Sequence, residues 1–263
     1  MKMFKKLLSA LAMTAAVGAA NATAISSGSE QSLQSILCGL YTAAGAPNCN
    51  AAPNVNTDQY GLDQRWTIEG SGTAAATFII EIAGNSATNS FGLYDVNNGN
   101  RVQLFGGAAD TADRAQVNLF ADGSVLVTFI PVSPNPDAGA TTAGFNYFGA
   151  GYFSGNTFGF YLGAASGFFY SETNRNANGA DQMVAFRGDG DLVKLPGAFP
   201  GPWGSSSYIL AWEDLPYGSS DRDFNDLVVY VESISGVPEP GTLALLGLGL
   251  AGLAGAARRR RSV

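Results

Sequence analysis

The chain contains no histidine. That absence removes the commonest general base, the Ser-His and Cys-His nucleophile systems and most zinc chemistry. Charge is scarce too: Asp, Glu, Lys and Arg make up 13% of the 263 residues, about half the usual share. Cysteine is limited to Cys38 and Cys49, too few for a structural zinc site without other ligands. The 34 glycines are scattered with no collagen period, and neither a solenoid-length repeat nor a coiled-coil heptad is visible. What is present is 46% hydrophobic, which excludes a wholly disordered chain and suffices for a sizeable core.

The two ends differ from everything between them. Lys2, Lys5 and Lys6 precede an apolar run from Leu7 to Ala20, and both Ala20-Asn21-Ala22 and Ala22-Thr23-Ala24 fit a small-x-small cleavage site. Residues 1–24 therefore read as a secretory signal peptide; a permanent N-terminal anchor would need a longer, less Ala-rich run. At the other end, Pro238-Glu239-Pro240 is followed by seventeen uncharged residues, 241–257, and then by Arg258, Arg259, Arg260 and Arg261. As a helix this run spans about 26 Å, slightly short of a ~30 Å hydrocarbon core. The arginines resist translocation and keep the extreme terminus cytoplasmic. The order of parts resembles the PEP-CTERM sorting signal of Gram-negative bacteria, over residues 236–263. The resemblance implies that an exosortase-type membrane protease removes the tail after export. It also implies association with extracellular polysaccharide, as in a biofilm matrix.

Seven of the fourteen basic residues lie in these ends, whereas all 21 acidic residues fall between Glu30 and Glu239. Without the ends the formal charge is about −14. Such a surface repels nucleic acid and anionic lipid and attracts divalent cations. Nucleic-acid binding is excluded. Cys38 and Cys49 both belong to the exported part, and an oxidising compartment favours a disulfide across Gly45-Ala46-Pro47-Asn48.

Leu33, Ile36, Leu37 and Leu40 repeat with helical spacing, with Ser29 as N-cap and Gly45 as terminator. This predicts a helix whose stripe packs on the main domain, with a linker rich in Asn, Ala and Pro completing 25–57. Residues 58–235 read as β throughout. Strands are predicted at Thr77 to Ile82, Phe91 to Val96, Arg101 to Phe105, Ala115 to Phe120 and Ser124 to Ile130. Asn97-Asn98-Gly99 and Ala121-Asp122-Gly123 supply hairpin turns. After a Pro-rich loop, Pro131 to Ala140, come eleven aromatics in Phe145 to Tyr170, read as core rather than as a sugar platform. Further strands are Met183 to Arg187, Asp191 to Leu195, Ser207 to Glu213 and Leu227 to Ser233. The predicted fold is an all-β, antiparallel two-sheet sandwich, jelly-roll-like, with one short N-terminal helix.

The densest chemistry is Trp212 to Asp226, which holds five carboxylates and an Asn on a glycine-containing turn. Asp221, Asp223 and Asn225 alternate like the first ligands of an EF-hand. The sixth position is Asp226 rather than Gly, however, and a strand follows. Glu232 would then lie roughly 20 Å away, too far to close the loop. A different Ca²⁺ site is expected from Glu213, Asp214, Asp221, Asp223, Asn225 and Asp226, because like charges so close repel unless a cation compensates. The competing reading is a strand–turn–strand corner with Asx caps and Arg222 paired to a carboxylate. Asp189-Gly190-Asp191 is a second, weaker cation candidate.

The residues Phe158-Gly159-Phe160-Tyr161-Leu162, Phe169-Tyr170-Ser171-Glu172, Trp212-Glu213-Asp214-Leu215 and Ser220 to Asp226 resemble the bacterial domain-of-unknown-function family numbered 4114. The likeness covers residues 144–232. The family typically has Asp-His where this chain has Asp181-Gln182. No reaction is assigned to it, so the resemblance implies a surface or matrix β-domain. The expectation is thus an exported, exosortase-processed and non-catalytic cell-surface or extracellular-matrix protein, transiently anchored in the inner membrane. One alternative is a carbohydrate-binding module using Trp203, Trp212 or Tyr217. The other is a glycan-active enzyme using Glu172 and Glu213, which needs a cleft and a separation of about 5–10 Å.

Overall fold

The computed structural model describes residues 22–41, 49–70, 72–81, 88–107, 109, 111–130, 145–148, 152–238 and 250. The apolar run 7–20, Gly45, the loop 131–140, Glu239, Pro240, the expected span 241–257 (but for Leu250) and Arg258 to Arg261 lie outside them. Among the described residues no helix is long and apolar enough to cross a membrane.

Helix α1 (Leu33–Leu40) precedes strands β1 (Trp66–Ile68), β2 (Thr73–Glu81), β3 (Ser90–Asp95), β4 (Arg101–Gly106), β5 (Arg114–Leu119), β6 (Val125–Ile130) and β7 (Phe145–Phe148). There follow β8 (Thr157–Ala164), β9 (Gly167–Tyr170), β10 (Met183–Arg187), β11 (Leu192–Val193), β12 (Gly201–Pro202), β13 (Ser207–Trp212), β14 (Leu227–Glu232) and β15 (Ile234–Gly236). One sheet has the order β15-β1-β8-β3-β4, with β9 also on β8; the other runs β10-β13-β14-β2-β5-β6-β7. The pairings are antiparallel. The chain passes repeatedly from one layer to the other, so the fold is an antiparallel two-sheet sandwich with one short N-terminal helix.

Alternation along the strands explains the core. Phe158, Phe160 and Leu162 of β8 join Phe91 and Leu93 of β3, and from the opposite sheet Tyr208, Leu210 and Trp212 of β13 with Leu227, Val229 and Val231 of β14. The intervening residues face outward, yet β13 is buried along its whole length. Its outward Ile209 and Ala211, with Val184, Phe186, Val228 and Tyr230, form a second core with Leu33, Ile36, Leu37 and Leu40 of α1. Around β10, β13 and β14 the seven-stranded sheet is thus covered on both faces, which is why β13 and β14 read as unbroken apolar runs, whereas β5 and β6 alternate.

Ser32 rather than Ser29 caps α1, accepting from Ser35 N at 3.3 Å. The expected linker is not loose. Val55 is buried against α1, its N–H donates to Gln34 Oε1 (3.1 Å), and Gln34 Nε2 donates to Pro53 O (3.0 Å). Cys38 and Cys49 are joined in a disulfide on the same side of the domain.

On the outer face of the six-stranded sheet, Tyr94 lies flat across Gly159, its cross-strand partner, and a Cβ at that position would collide with the ring. Tyr94 Oη donates to Glu172 Oε2 (2.8 Å), and Glu172 is also bound by Arg65 Nε (2.6 Å) and Arg175 Nε (2.5 Å). Both oxygens of this buried carboxylate are occupied.

Candidate metal centre

The acidic corner connects β13 to β14, at one end of the doubly covered part of the sheet. β13 ends at Trp212, and Glu213 and Asp214 continue inward, 0% and 2% exposed. The connection returns through Asp221 to Asp226 with Arg222 and Phe224 at positive φ, 63° and 52°. That backbone region is uncommon for such residues. Phe224 is held there because its ring is fully buried in the α1 core and its N–H donates to Glu213 Oε1 at 2.7 Å.

Glu213, Asp221 and Asp223 each bring one carboxylate oxygen within 4.8 Å of the others. Ligands on one Ca²⁺ sit about 2.3–2.6 Å from the ion, hence no more than about 5 Å apart, so this spacing fits a shared cation. Among the described residues no hydrogen bond of ordinary geometry reaches Glu213 Oε2, Ser220 Oγ or Asn225 Oδ1, all of them buried, though the Ser220 hydroxyl is close enough to offset part of the rise in the Glu213 pKa. Asn225 is otherwise engaged, its Nδ2 donating to Gln31 O (2.9 Å) and to Asp223 Oδ2 (2.8 Å).

The remaining expected ligands turn elsewhere. Asp214 Oδ2 accepts from Asn89 Nδ2 (3.1 Å), and Asp226 Oδ2 caps the Asp214 N–H (2.9 Å). Asp189 and Asp191 are exposed; Asp189 Oδ1 accepts from Asp191 N (3.0 Å), an Asx turn. Arg222 pairs with no carboxylate among the described residues. Its guanidinium stacks on Tyr217, 4.3 Å from the ring centre.

Burial pushes the Glu213 carboxyl above its ordinary value, and Asp221 and Asp223 push it further. Asp223 is raised by burial, then by Asp221 and Glu30. Asp226 is pushed up to about 7 by burial and by the charges of Asp214, Glu213 and Asp223. Three raised carboxyls with no cationic partner among the described residues form a site short of positive charge.

A contribution the sequence reading missed comes from the N-terminal arm. Gly28 lies against Asp221 Oδ2 and Asp223 Oδ2, where a Cβ would collide with the latter. The Ser26 N–H donates to Arg222 O (2.8 Å). No local pattern marks this pairing, since some two hundred residues separate its partners. Gln182 lies behind the corner, its Nε2 donating to Leu215 O (2.7 Å).

Trp203 and Trp212 are 1% and 0% exposed, which corrects the expectation that they stack on sugars; Tyr217 carries Arg222. Glu172 stands outside the Glu213 cluster. A hollow of about 630 Å³ between Phe168, Asp181, Gln182 and Tyr217 is lined by neither Glu172 nor Glu213.

Fold and site together define an antiparallel β-sandwich with an acidic corner in which Glu213 and Asp223 are buried and Asp221 is exposed. Residues 152–234 match the family described as Domain of unknown function (DUF4114). Residues 236–261 match the PEP-CTERM protein-sorting motif. The chain is thus an exosortase-sorted exported protein, delivered through the membrane to the cell surface or extracellular space. The first match holds β8 to β14 and the entire acidic corner but omits β2 to β7, on which β8 and β14 depend for pairing. No curated protein and no solved structure matches the chain.

Proposed function

We propose that this protein is a non-catalytic cell-surface or matrix domain, released by exosortase from a transient inner-membrane anchor, whose acidic corner holds Ca²⁺. The observation that carries the cation is Glu213 Oε2, which among the described residues meets no hydrogen bond of ordinary geometry, on a fully buried carboxylate facing two further carboxylates. A buried unpaired charge costs several kcal/mol unless it is neutralised. Glu213, Asp221 and Asp223 supply hard oxygen ligands, and an ion there neutralises the corner between β13 and β14. Association with extracellular polysaccharide follows from the clients of such sorting systems; an acidic surface bridged by Ca²⁺ suits an acidic glycan.

The test is a melting curve of the processed protein in millimolar Ca²⁺ and in chelator. A ligand bound only to the folded state at a hundredfold excess over Kd adds about 2.7 kcal/mol, a shift of several degrees. In Glu213→Gln the Phe224 N–H keeps its acceptor while the charge is lost. This variant should melt above wild type in chelator and respond little to Ca²⁺. Identical melts in both media, with no metal by elemental analysis, reject the reading.

A further inference from the structure

The N-terminal arm does more than cover the acidic corner, because its first anchored residue is held on three atoms. Thr23 N–H donates to Gln59 Oε1 (2.8 Å), and Thr23 O accepts from Gln59 Nε2 (2.8 Å). Its hydroxyl donates to Asp181 Oδ2. The Ile25 N–H then donates to Asn56 Oδ1 (2.9 Å). Ala22 and Ala24 are exposed, whereas Thr23 turns inward. Asp181 is mostly withdrawn from water, and no arginine or lysine reaches it among the described residues.

We propose that the leader is cut between Ala22 and Thr23, and that the new α-ammonium of Thr23 docks between Gln59 and Asp181. Water adds across the amide, leaving the Ala22 carboxylate on the leader and the ammonium on the mature chain. Ala20-Asn21-Ala22 supplies the small-x-small pattern for this bond. Cutting at the other such pattern, two residues on, would discard Thr23 and all three of its contacts. In Thr23 the amine and hydroxyl are about 3–4 Å apart by covalent geometry. The ammonium therefore falls near the Asp181 carboxylate, within the ~4–6 Å at which opposite charges stabilise one another. The socket gives Asp181 the counter-charge it lacks and makes the processed N-terminus part of the fold.

The proposal rests on export, and its test separates the two. The full chain is expressed in a Gram-negative host that exports it, and the N-terminus of the recovered protein is read by mass spectrometry. A start at Thr23 is expected. Exported protein starting at Ile25 overturns the cleavage assignment alone, while protein retaining residues 1–22 overturns the export reading. Docking is read by amine labelling near pH 7. Lys194 is the only lysine between the two ends and serves as internal reference. The Thr23 amine should label about tenfold more slowly, relative to Lys194, in the folded than in the urea-unfolded protein, the equivalent of about one pK unit. Asp181→Asn should recover most of that difference. Equal protection in folded and unfolded protein, or protection untouched by Asp181→Asn, overturns the socket.

Discussion

At the residue scale, the acidic corner shows how a side chain's chemistry depends on what surrounds it. Glu172 and Glu213 are both buried carboxylates, yet two arginines and a tyrosine saturate the first, whereas among the described residues no cation and no hydrogen bond of ordinary geometry reaches Oε2 of the second. The difference predicts a pH dependence. The folded pKa of Asp226, about 7, exceeds its unfolded value, so its contribution to stability is present below about pH 4 and lost as pH rises through 7. Glu213 and Asp223 shift the same way. Asp95 and Asp122, held low by hydrogen bonds to Ser154 and Ser124 among others, act oppositely but only below their unfolded range. In chelator the processed protein should therefore melt higher at pH 5 than at pH 7.5, and Ca²⁺ should narrow the gap. A melting temperature that rises from pH 5 to pH 7.5 in chelator contradicts the assignment. The acidic cluster was legible in the sequence because its carboxylates are neighbours along the chain. Its division was not, because Asp214 is drawn away by Asn89 and Asp223 is met by Gly28, both distant in sequence.

At the scale of elements, the strands were legible wherever apolar alternation and turn residues coincided, as at β3 and β4 around Asn97-Asn98-Gly99. β1 and β15 escaped notice because each has three residues, too few to show a period. The helix was found from its stripe, but the cap slipped by three residues, because Ser29 and Ser32 offer the same hydroxyl and only the backbone path selects Ser32. The role of α1 is to bury the outer face of β10, β13 and β14, and Leu37 is 0% exposed there. Leu37→Ala should cost about 2–5 kcal/mol, read as a lowered urea midpoint with unchanged slope. A loss below about 0.5 kcal/mol would mean that the helix packs only loosely on the sheet.

At the scale of the whole molecule, the folding unit and the family match do not coincide. β14 lies between β13 and β2, so the region from β8 onward needs the preceding strands to close its sheet and its core. The described sandwich closes with β15, which pairs with β1 and places Ile234 in the core, and with the Val237 N–H donating to Arg65 O (2.7 Å), all ahead of Pro238-Glu239-Pro240. Removing the tail should leave stability unchanged. Intact mass of surface-recovered protein should show an end near Pro238-Glu239-Pro240, and a mature form still ending at Val263 contradicts exosortase release.

One adjacency bears on the order of events during export. Gln59 grips Thr23, and Tyr60, the next residue, lies against Gly236. The sandwich therefore begins and ends at neighbouring points on its surface. A precursor tethered by both a leader and a tail needs no separation between its moorings to close this fold, unlike a domain whose ends emerge on opposite sides. Pairing of the strands then need not wait for a cut at either end, whereas the proposed Thr23 ammonium can reach its socket only after the leader bond is broken.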